Sequence, residues 1–228
     1  MSGLRPNEQR GKIAIALIWV IFSINGFSLV LNVATEIYNK VYGVNISAAI
    51  FTIYQYLFVA ISLSLIILVI TSVVVFLKWF RRAYYNLDVL TNECMYDNSW
   101  SVKGWFIPFM NLYVPYQIMK ELFEKTDRYL MERYLSQEMA EPYTDRLNTG
   151  VLKWWWATAI IVFLFVYTLH LLITWFAPIH MYWIVLNLFT VFIRTAFIMG
   201  FCLLSIFVIK NYQKAEKLIY DYNTNSHE

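Results

Sequence analysis

Long apolar runs alternate with short charged stretches along this chain. No charged residue occurs in the 23 residues of Ile13–Thr35, the 37 of Val41–Leu77 or the 40 of Trp154–Ile193. A helix needs about 20 such residues to cross the hydrocarbon core of a bilayer. The pattern therefore predicts an all-α, polytopic integral membrane protein, folded as a single membrane domain over residues 1–228.

The number of crossings depends on how the two longest runs divide. The last run is interrupted at residues 177–180 by Ala-Pro-Ile-His, which predicts spans over 154–177 and 181–209. The middle run has neither Gly nor Pro beyond Gly43, and turns usually need such residues. One long crossing over 47–77 is therefore favoured over a hairpin. With a first span over 13–35, the sequence predicts four transmembrane helices.

The basic residues predict the orientation. With four spans, 16 of the 18 Lys and Arg residues lie on one side: three before the first span, ten in residues 78–153 and three in the tail, 210–228. Lys40 lies on the other side and Arg194 within the fourth span. Cytoplasmic loops carry an excess of Lys and Arg, so we expect both termini and residues 78–153 in the cytoplasm.

The amino-acid composition also indicates a membrane protein and argues against nucleic-acid binding. Apolar residues make up 60% of the chain and charged residues 14%, whereas soluble domains are nearer half apolar and a quarter charged. A soluble fold is thereby excluded. The net charge of +3 reflects the asymmetry of the loops, so we expect no direct binding of nucleic acid.

Residues 78–153 form the longest segment outside the spans. Within it, Gly104–Met119 is uncharged but has 16 residues and two prolines, too short and too broken to span. It is typical of a re-entrant or interface-lying segment. After Pro115 the apolar positions recur every three or four residues, and the pairs Glu121–Lys125 and Glu124–Arg128 lie on the other side. An amphipathic helix over 116–135 should lie on the inner leaflet or against the cytoplasmic end of the helical bundle.

Polar residues within the spans are the next candidate site. Arg194 falls near the middle of the fourth span, where a charge costs about 3 kcal/mol, and no Asp or Glu occurs in any span. Asn187 and Thr190 share its helix face, Asn25, Ser28 and Asn32 form a similar stripe in the first span, and His170 lies in the third. These stripes indicate either a water-filled path completed by oligomerisation or hydrogen bonds between helices.

Catalytic and cofactor signatures are missing from the sequence. It has no nucleophile elbow, phosphate-binding glycine loop, zinc-protease motif or Cys-x-x-Cys pair. We therefore expect a protein that is not an enzyme and needs no cofactor or metal. A lipid-modifying activity stays open, because Arg81, Arg82 and the aromatic segment after them could hold a headgroup.

Several motifs resemble a bacterial membrane family of flavobacterial type, the domain of unknown function 4328. They are LRPNEQRGK at 4–12, WFRRAYYNL at 79–87, GWFIPFMNLY at 104–113, PYQIMKEL at 115–122, IKNY at 209–212 and AEKL at 215–218. Two positions depart from the family's pattern: Val114 replaces an expected Arg, and Asn98-Ser99 an expected Glu-Gly pair. The resemblance implies a multi-pass protein of the bacterial inner membrane. It does not imply an activity, because the family is functionally unassigned.

The segment 78–153 supplies candidates for a cytoplasmic interface: Arg81, Arg82, Trp100, Trp105, Pro108, Asn111 and Pro115. In size and number of spans the chain also resembles the accessory proteins of type VI-B CRISPR loci, which implies an RNA-guided RNase as a partner and a role in antiviral defence. Two hypotheses follow. One is an oligomeric protein that forms or regulates a permeation path; the other is a membrane-anchored module whose cytoplasmic segment docks a soluble partner or a lipid headgroup.

Overall fold

Four long helices dominate the computed structural model, which describes residues 3–42, 48–136, 146–166, 168 and 183–225. They are α1 (Glu8–Tyr42), α2 (Ala48–Thr91), α4 (Val114–Ser136) and α6 (Trp183–Asn225). Two shorter helices are α3 (Trp100–Lys103) and α5 (Gly150–Ile160); α5 continues as a π-helical segment, Ile161–Val166, and a 3-10 turn covers Met110–Leu112. The described residues contain no strand, in agreement with the predicted all-α class.

The described helices indicate a membrane protein. Three helical stretches, Glu8–Thr35, Val59–Thr91 and Phe189–Asp221, each include an apolar part long enough to cross a bilayer. The apolar helix of Gly150–Phe163 is shorter, and most of the predicted third span after it lies outside the described residues. The count of four crossings and their limits therefore stay predictions.

The chain divides into two compact units. Met1–Ala16, Val74–Ala157 and Leu204–Glu228 form one, and Leu17–Val73 and Thr158–Leu203 form the other. Of the charged residues that the structure describes, all but Glu36, Lys40 and Arg194 belong to the first. We call the first the charged unit and the second the apolar unit.

Helices of the apolar unit bury little of their surface within the chain. In α2 only 6% of the most apolar window is buried, and Ile66, Ile67 and Ile70 are more than half exposed. Apolar surface of this extent is stable only when something apolar covers it. Such surface is typical of helices that lie in a bilayer.

Two long helices continue beyond their apolar runs into the charged unit. α2 extends 14 residues past Leu77 to Thr91, and α6 extends to Asn225. Asn92 ends α2 in a left-handed conformation, with φ of 52°, and its N–H donates to the carbonyl of Asp88 at 2.8 Å. Asn tolerates this conformation, which commonly ends helices. The helix ends thus form the framework of the charged unit.

The core of the charged unit is aromatic and aliphatic. Trp79, Phe80 and Tyr84 of α2 are fully buried, and Tyr212 of α6 packs edge-on against Trp79 with ring centroids 5.8 Å apart. Phe123 of α4 lies at the same centroid distance from Tyr212. On the apolar side of α4, the buried residues are Ile118, Met119, Leu122, Phe123 and Leu130. The apolar side of α4 therefore packs against protein within the charged unit.

Candidate functional site

A buried polar cluster joins three distant parts of the chain in the charged unit. Asn86 of α2 donates from Nδ2 to Glu216 Oε1 at 3.0 Å and to the hydroxyl of Tyr220 at 3.1 Å. The Nδ2 of Asn7, in the N-terminal segment, lies 3.3 Å from both carboxylate oxygens of Glu216 and donates to the carbonyl of Trp79 at the same distance. We call Asn7, Asn86, Glu216 and Tyr220 the carboxylate cluster. It ties both ends of the chain to α2.

Glu216 is the titratable centre of this cluster. The apolar run of α6 ends at Ile209, so Glu216 lies beyond the predicted span. Burial raises the pKa of Glu216 from 4.5 to about 7, although hydrogen bonds from Asn86 and Asn7 and the charge of Arg82 oppose the rise. Desolvation disfavours the charged form of a carboxyl group more than these partners favour it. The cluster can therefore take up a proton close to neutral pH.

A second polar network attaches the loop after α2 to α4. The hydroxyl of Tyr84 donates to Glu121 Oε2 at 2.7 Å, and the N–H of Met95 donates to Glu121 Oε1 at the same distance. Lys125 forms an ion pair of 2.8 Å with Glu121. Burial raises the pKa of the Cys94 thiol to about 12, which favours its protonated form. These contacts hold the loop in place.

The segment between α3 and α4 presents apolar side chains to its surroundings. Its exposed members are Phe106, Ile107, Phe109, Leu112 and Tyr113. Phe109 is 82% exposed and has a φ of 64°, a conformation that is strained for a bulky residue. Strain of this kind concentrates at functional sites. We call Phe106–Tyr113 the aromatic loop.

An aromatic base supports this loop. Trp105 packs edge-on against Phe76 and Trp156, with ring centroids 5.7 Å away in both cases. The indole N–H of Trp156 donates to the carbonyl of Leu112 at 2.8 Å. Gly104, just before the loop, leaves space for Val114: an added Cβ would lie 2.8 Å from Val114 Cγ1. The loop is thus exposed but firmly attached.

The interface candidates from the sequence have different surroundings. Arg81 is exposed, whereas Arg82 is half-buried beside the N-terminal segment. Trp100 and Trp105 are half-buried, Asn111 lies half-buried in the 3-10 turn, and Pro115 is buried in the first turn of α4. Only Pro108 lies on the exposed part of the aromatic loop.

Polar-stripe candidates lie in the apolar unit. The amides of Asn25 and Asn32 donate to carbonyls of their own helix, those of Ile21 at 2.8 Å and Ser28 at 2.7 Å. Thr190 is buried and Arg194 half-exposed in α6. The side chain of Asn187 and all of His170 lie outside the described residues. Bonds of this kind satisfy a polar group within a helix without a partner across the bundle.

Sequence reasoning singled out none of the carboxylate cluster as a site. Its members occupy three of the motifs behind the family resemblance or lie just after them: Asn7, Asn86, Glu216 and Tyr220. The sequence feature that could have indicated this cluster is Glu216, a carboxylate inside the short motif AEKL and close to the predicted end of a span. The described residues contain no group of three or more His, Cys, Asp or Glu suited to a metal ion.

The profile of a family described as Domain of unknown function (DUF4328) matches residues 42–214. The chain belongs to this family. The match includes the motifs at 79–87, 104–113, 115–122 and 209–212, so the resemblance drawn from them is confirmed; the motifs at 4–12 and 215–218 lie outside it. No curated protein and no solved structure matches the chain. Membership thus identifies a family without an assigned activity.

Proposed function

We propose that this protein is a non-enzymatic, membrane-anchored interaction module whose charged unit docks a protein partner through the aromatic loop. The observation that carries the proposal is the exposure of Phe106 and Phe109 on a loop whose base is packed and hydrogen-bonded. Exposed aromatic side chains on a rigid support are typical of binding hot spots. Trp105, at the base, positions the loop.

A photo-reactive residue at position 109 tests this docking in native membranes. Position 95 is the matched control, because Met95 is also highly exposed, at 77%, in the same unit but outside the loop. We expect a discrete protein adduct from position 109 and none from position 95. Adducts with lipid alone would mean that the loop lies in the bilayer interface and would overturn the proposal. An adduct of twice the chain mass would identify a second copy as the occupant.

Orientation and partner class belong to the same proposal. Hydrogen bonds from Asn7 and Asn86 to Glu216 support placing both termini and residues 78–153 on one side of the bacterial inner membrane, the cytoplasmic side by the distribution of Lys and Arg. An RNA-guided RNase of a type VI-B CRISPR locus, and a role in phage defence, would suit a docking module on that side. A neighbouring RNase gene and repeat array would support this partner, and their absence would count against it.

A second candidate function is a permeation path formed or regulated by a homo-oligomer. Arg194 favours it, because this cation lies half-exposed in a long apolar helix and the predicted spans contain no Asp or Glu. The little-buried surface of α2 leaves room for contacts between copies. Reconstituted protein should then conduct ions, and Arg194→Leu should change the conductance. Protein that stays tight to ions in every oligomeric state would contradict this function.

A further inference from the structure

The N-terminal segment runs along one face of α2 in the charged unit. The main chain of Arg5 pairs with the side-chain amide of Asn86: its N–H donates to Asn86 Oδ1 at 3.0 Å, and its carbonyl accepts from Nδ2 at 2.9 Å. Further along, Arg10 Nη1 donates to the carbonyl of Lys78 at 3.4 Å. Lys78, Arg82 and Asn86 are spaced four residues apart and share this helix face. Arg82 therefore lies between the two points where the segment contacts α2.

Three guanidinium groups gather at this place. That of Arg5 lies over the ring of Tyr85, 4.3 Å from its centroid, and Arg82 is half-buried. Burial, and then the positive charges of Arg10 and Arg5, lower the pKa of Arg82. The charges are thus close enough to repel one another. We call Arg5, Arg10 and Arg82 the arginine cluster.

Acidic groups of the chain do not neutralise this cluster by direct pairing. Among the described residues no carboxylate oxygen lies within ion-pair distance of the three guanidinium groups, since the ion pairs there join Glu8 to Lys12, Glu121 to Lys125, Glu124 to Lys120 and Asp127 to Arg146. The charge of Arg82 acts on Glu216, but this carboxylate accepts its hydrogen bonds from Asn7 and Asn86. A bound anion would offset the repulsion and use the remaining donors.

The depth of the cluster indicates which anion this is. Lys78 directly follows the apolar run of α2, and Arg82 is one helical turn, about 6 Å, farther along the axis. Lipid phosphates lie just beyond the hydrocarbon core, and basic pockets at this depth bind anionic headgroups. We propose that Arg5, Arg10 and Arg82 form a binding site for the phosphate group of an anionic phospholipid.

Arg81 supplies a matched control for this site. It neighbours Arg82 in the chain and carries the same charge, but it is exposed, and it is not among the cations that lower the pKa of Arg82, so it is not part of the arginine cluster. If the protein retains anionic lipid only by general attraction to positive charge, Arg81→Gln and Arg82→Gln should weaken this retention equally. If the arginine cluster is a specific site, only Arg82→Gln should weaken it.

The test is native mass spectrometry of the purified full-length protein, incubated with phosphatidylglycerol or with phosphatidylcholine. We expect wild type and Arg81→Gln to retain phosphatidylglycerol in preference to phosphatidylcholine. Arg82→Gln and Arg10→Gln should retain about tenfold less phosphatidylglycerol than wild type. Circular dichroism checks folding. If Arg82→Gln does not fold, Arg10→Gln carries the test, because its side-chain contact lies at the surface.

Three results would overturn the assignment. Equal retention of phosphatidylglycerol by all variants, or equal retention of both lipids by wild type, would exclude a specific anionic-lipid site. Displacement of the lipid by millimolar inorganic phosphate would instead identify a site for soluble phosphate compounds. Failure of the docking test at position 109 would leave this lipid test unaffected, because the two rest on different residues.

Discussion

At the scale of single residues, the raised pKa of Glu216 predicts how the stability of the protein depends on pH. Its pKa of about 7 in the folded protein exceeds the ordinary value of 4.5. The stability contributed by its protonated form is therefore complete below about pH 4.5 and is lost as pH rises through about 7. The difference corresponds to about 3 kcal/mol at most. Other charged or titratable groups near it are Arg82, Glu8, Tyr212 and Tyr220.

Glu216→Gln should remove most of this pH dependence. We expect the melting temperature of wild type in detergent to fall between pH 5 and pH 8 relative to that of the variant, because only wild type must ionise a buried carboxyl group. Glu124→Gln is the control, since Glu124 is about half exposed. A parallel pH profile for wild type and Glu216→Gln would show that Glu216 keeps an ordinary pKa.

The substitution Gly104→Ala tests how closely the residues beneath the aromatic loop are packed. An alanine Cβ at this position would lie 2.8 Å from Val114 Cγ1 and 3.0 Å from the carbonyl oxygen of Trp100. Backbone or side chains must shift, so Gly104→Ala should lower the free energy of unfolding by about 1–3 kcal/mol. Gly200→Ala is the control, because nothing lies within 4 Å of its added Cβ. We expect that change to be neutral or stabilising, as measured by thermal unfolding.

At the scale of secondary-structure elements, the extension of α6 beyond its apolar run is central. Tyr212 lies one turn into this extension and packs against Trp79 of α2 and Phe123 of α4. Tyr212 is 1% exposed and lies where these three helices meet. The extension thus connects the end of the last predicted span to the core of the charged unit.

Tyr212→Ala should separate these three helices. By analogy with other large aromatic residues, the cavity should cost about 3–5 kcal/mol and increase the protease sensitivity of residues 78–136. Tyr113→Ala is the comparison, because Tyr113 is 46% exposed on the aromatic loop. Limited proteolysis followed by mass spectrometry measures the effect. Equal cleavage of both variants would mean that α6 does not stabilise the unit.

At the scale of the whole molecule, the charged unit includes both chain ends and the segment between the second and third predicted spans. Parts of one packed unit must lie on the same side of a bilayer. Cysteines replacing Glu8, Glu124 and Lys214 in a cysteine-free background should therefore react with an impermeant thiol reagent from the same side. All three positions are exposed.

We expect labelling in inside-out vesicles and none in intact cells, because the predicted cytoplasmic side carries most of the Lys and Arg residues. A cysteine at Asn45, between the first two predicted spans, is the control and should show the reverse. Labelling of Glu8→Cys and Lys214→Cys from opposite sides would contradict both the predicted topology and the charged unit.

Much of the helical framework could be predicted before the structure. The predicted first span lies within α1, residues 48–77 of the second lie within α2, and the helix expected at 116–135 lies within α4. Local signals suffice for such elements, since apolar run length and three- to four-residue spacing are read from neighbouring positions. The continuation of α2 and α6 past their apolar runs was not predicted, because polar helix turns resemble polar loops in sequence.

The sequence by itself determined the helical class, the membrane character and the family of this protein, because these depend on local hydrophobicity and on motifs. Only the tertiary structure decided which polar residues meet. Asn7 and Glu216 are 209 residues apart in the chain, and Asn86 and Glu216 are 130 apart. No local pattern pairs them; packing of the helix ends brings them together and removes water from Glu216. Arg82 likewise differs from Arg81 only because the N-terminal segment packs against one face of α2.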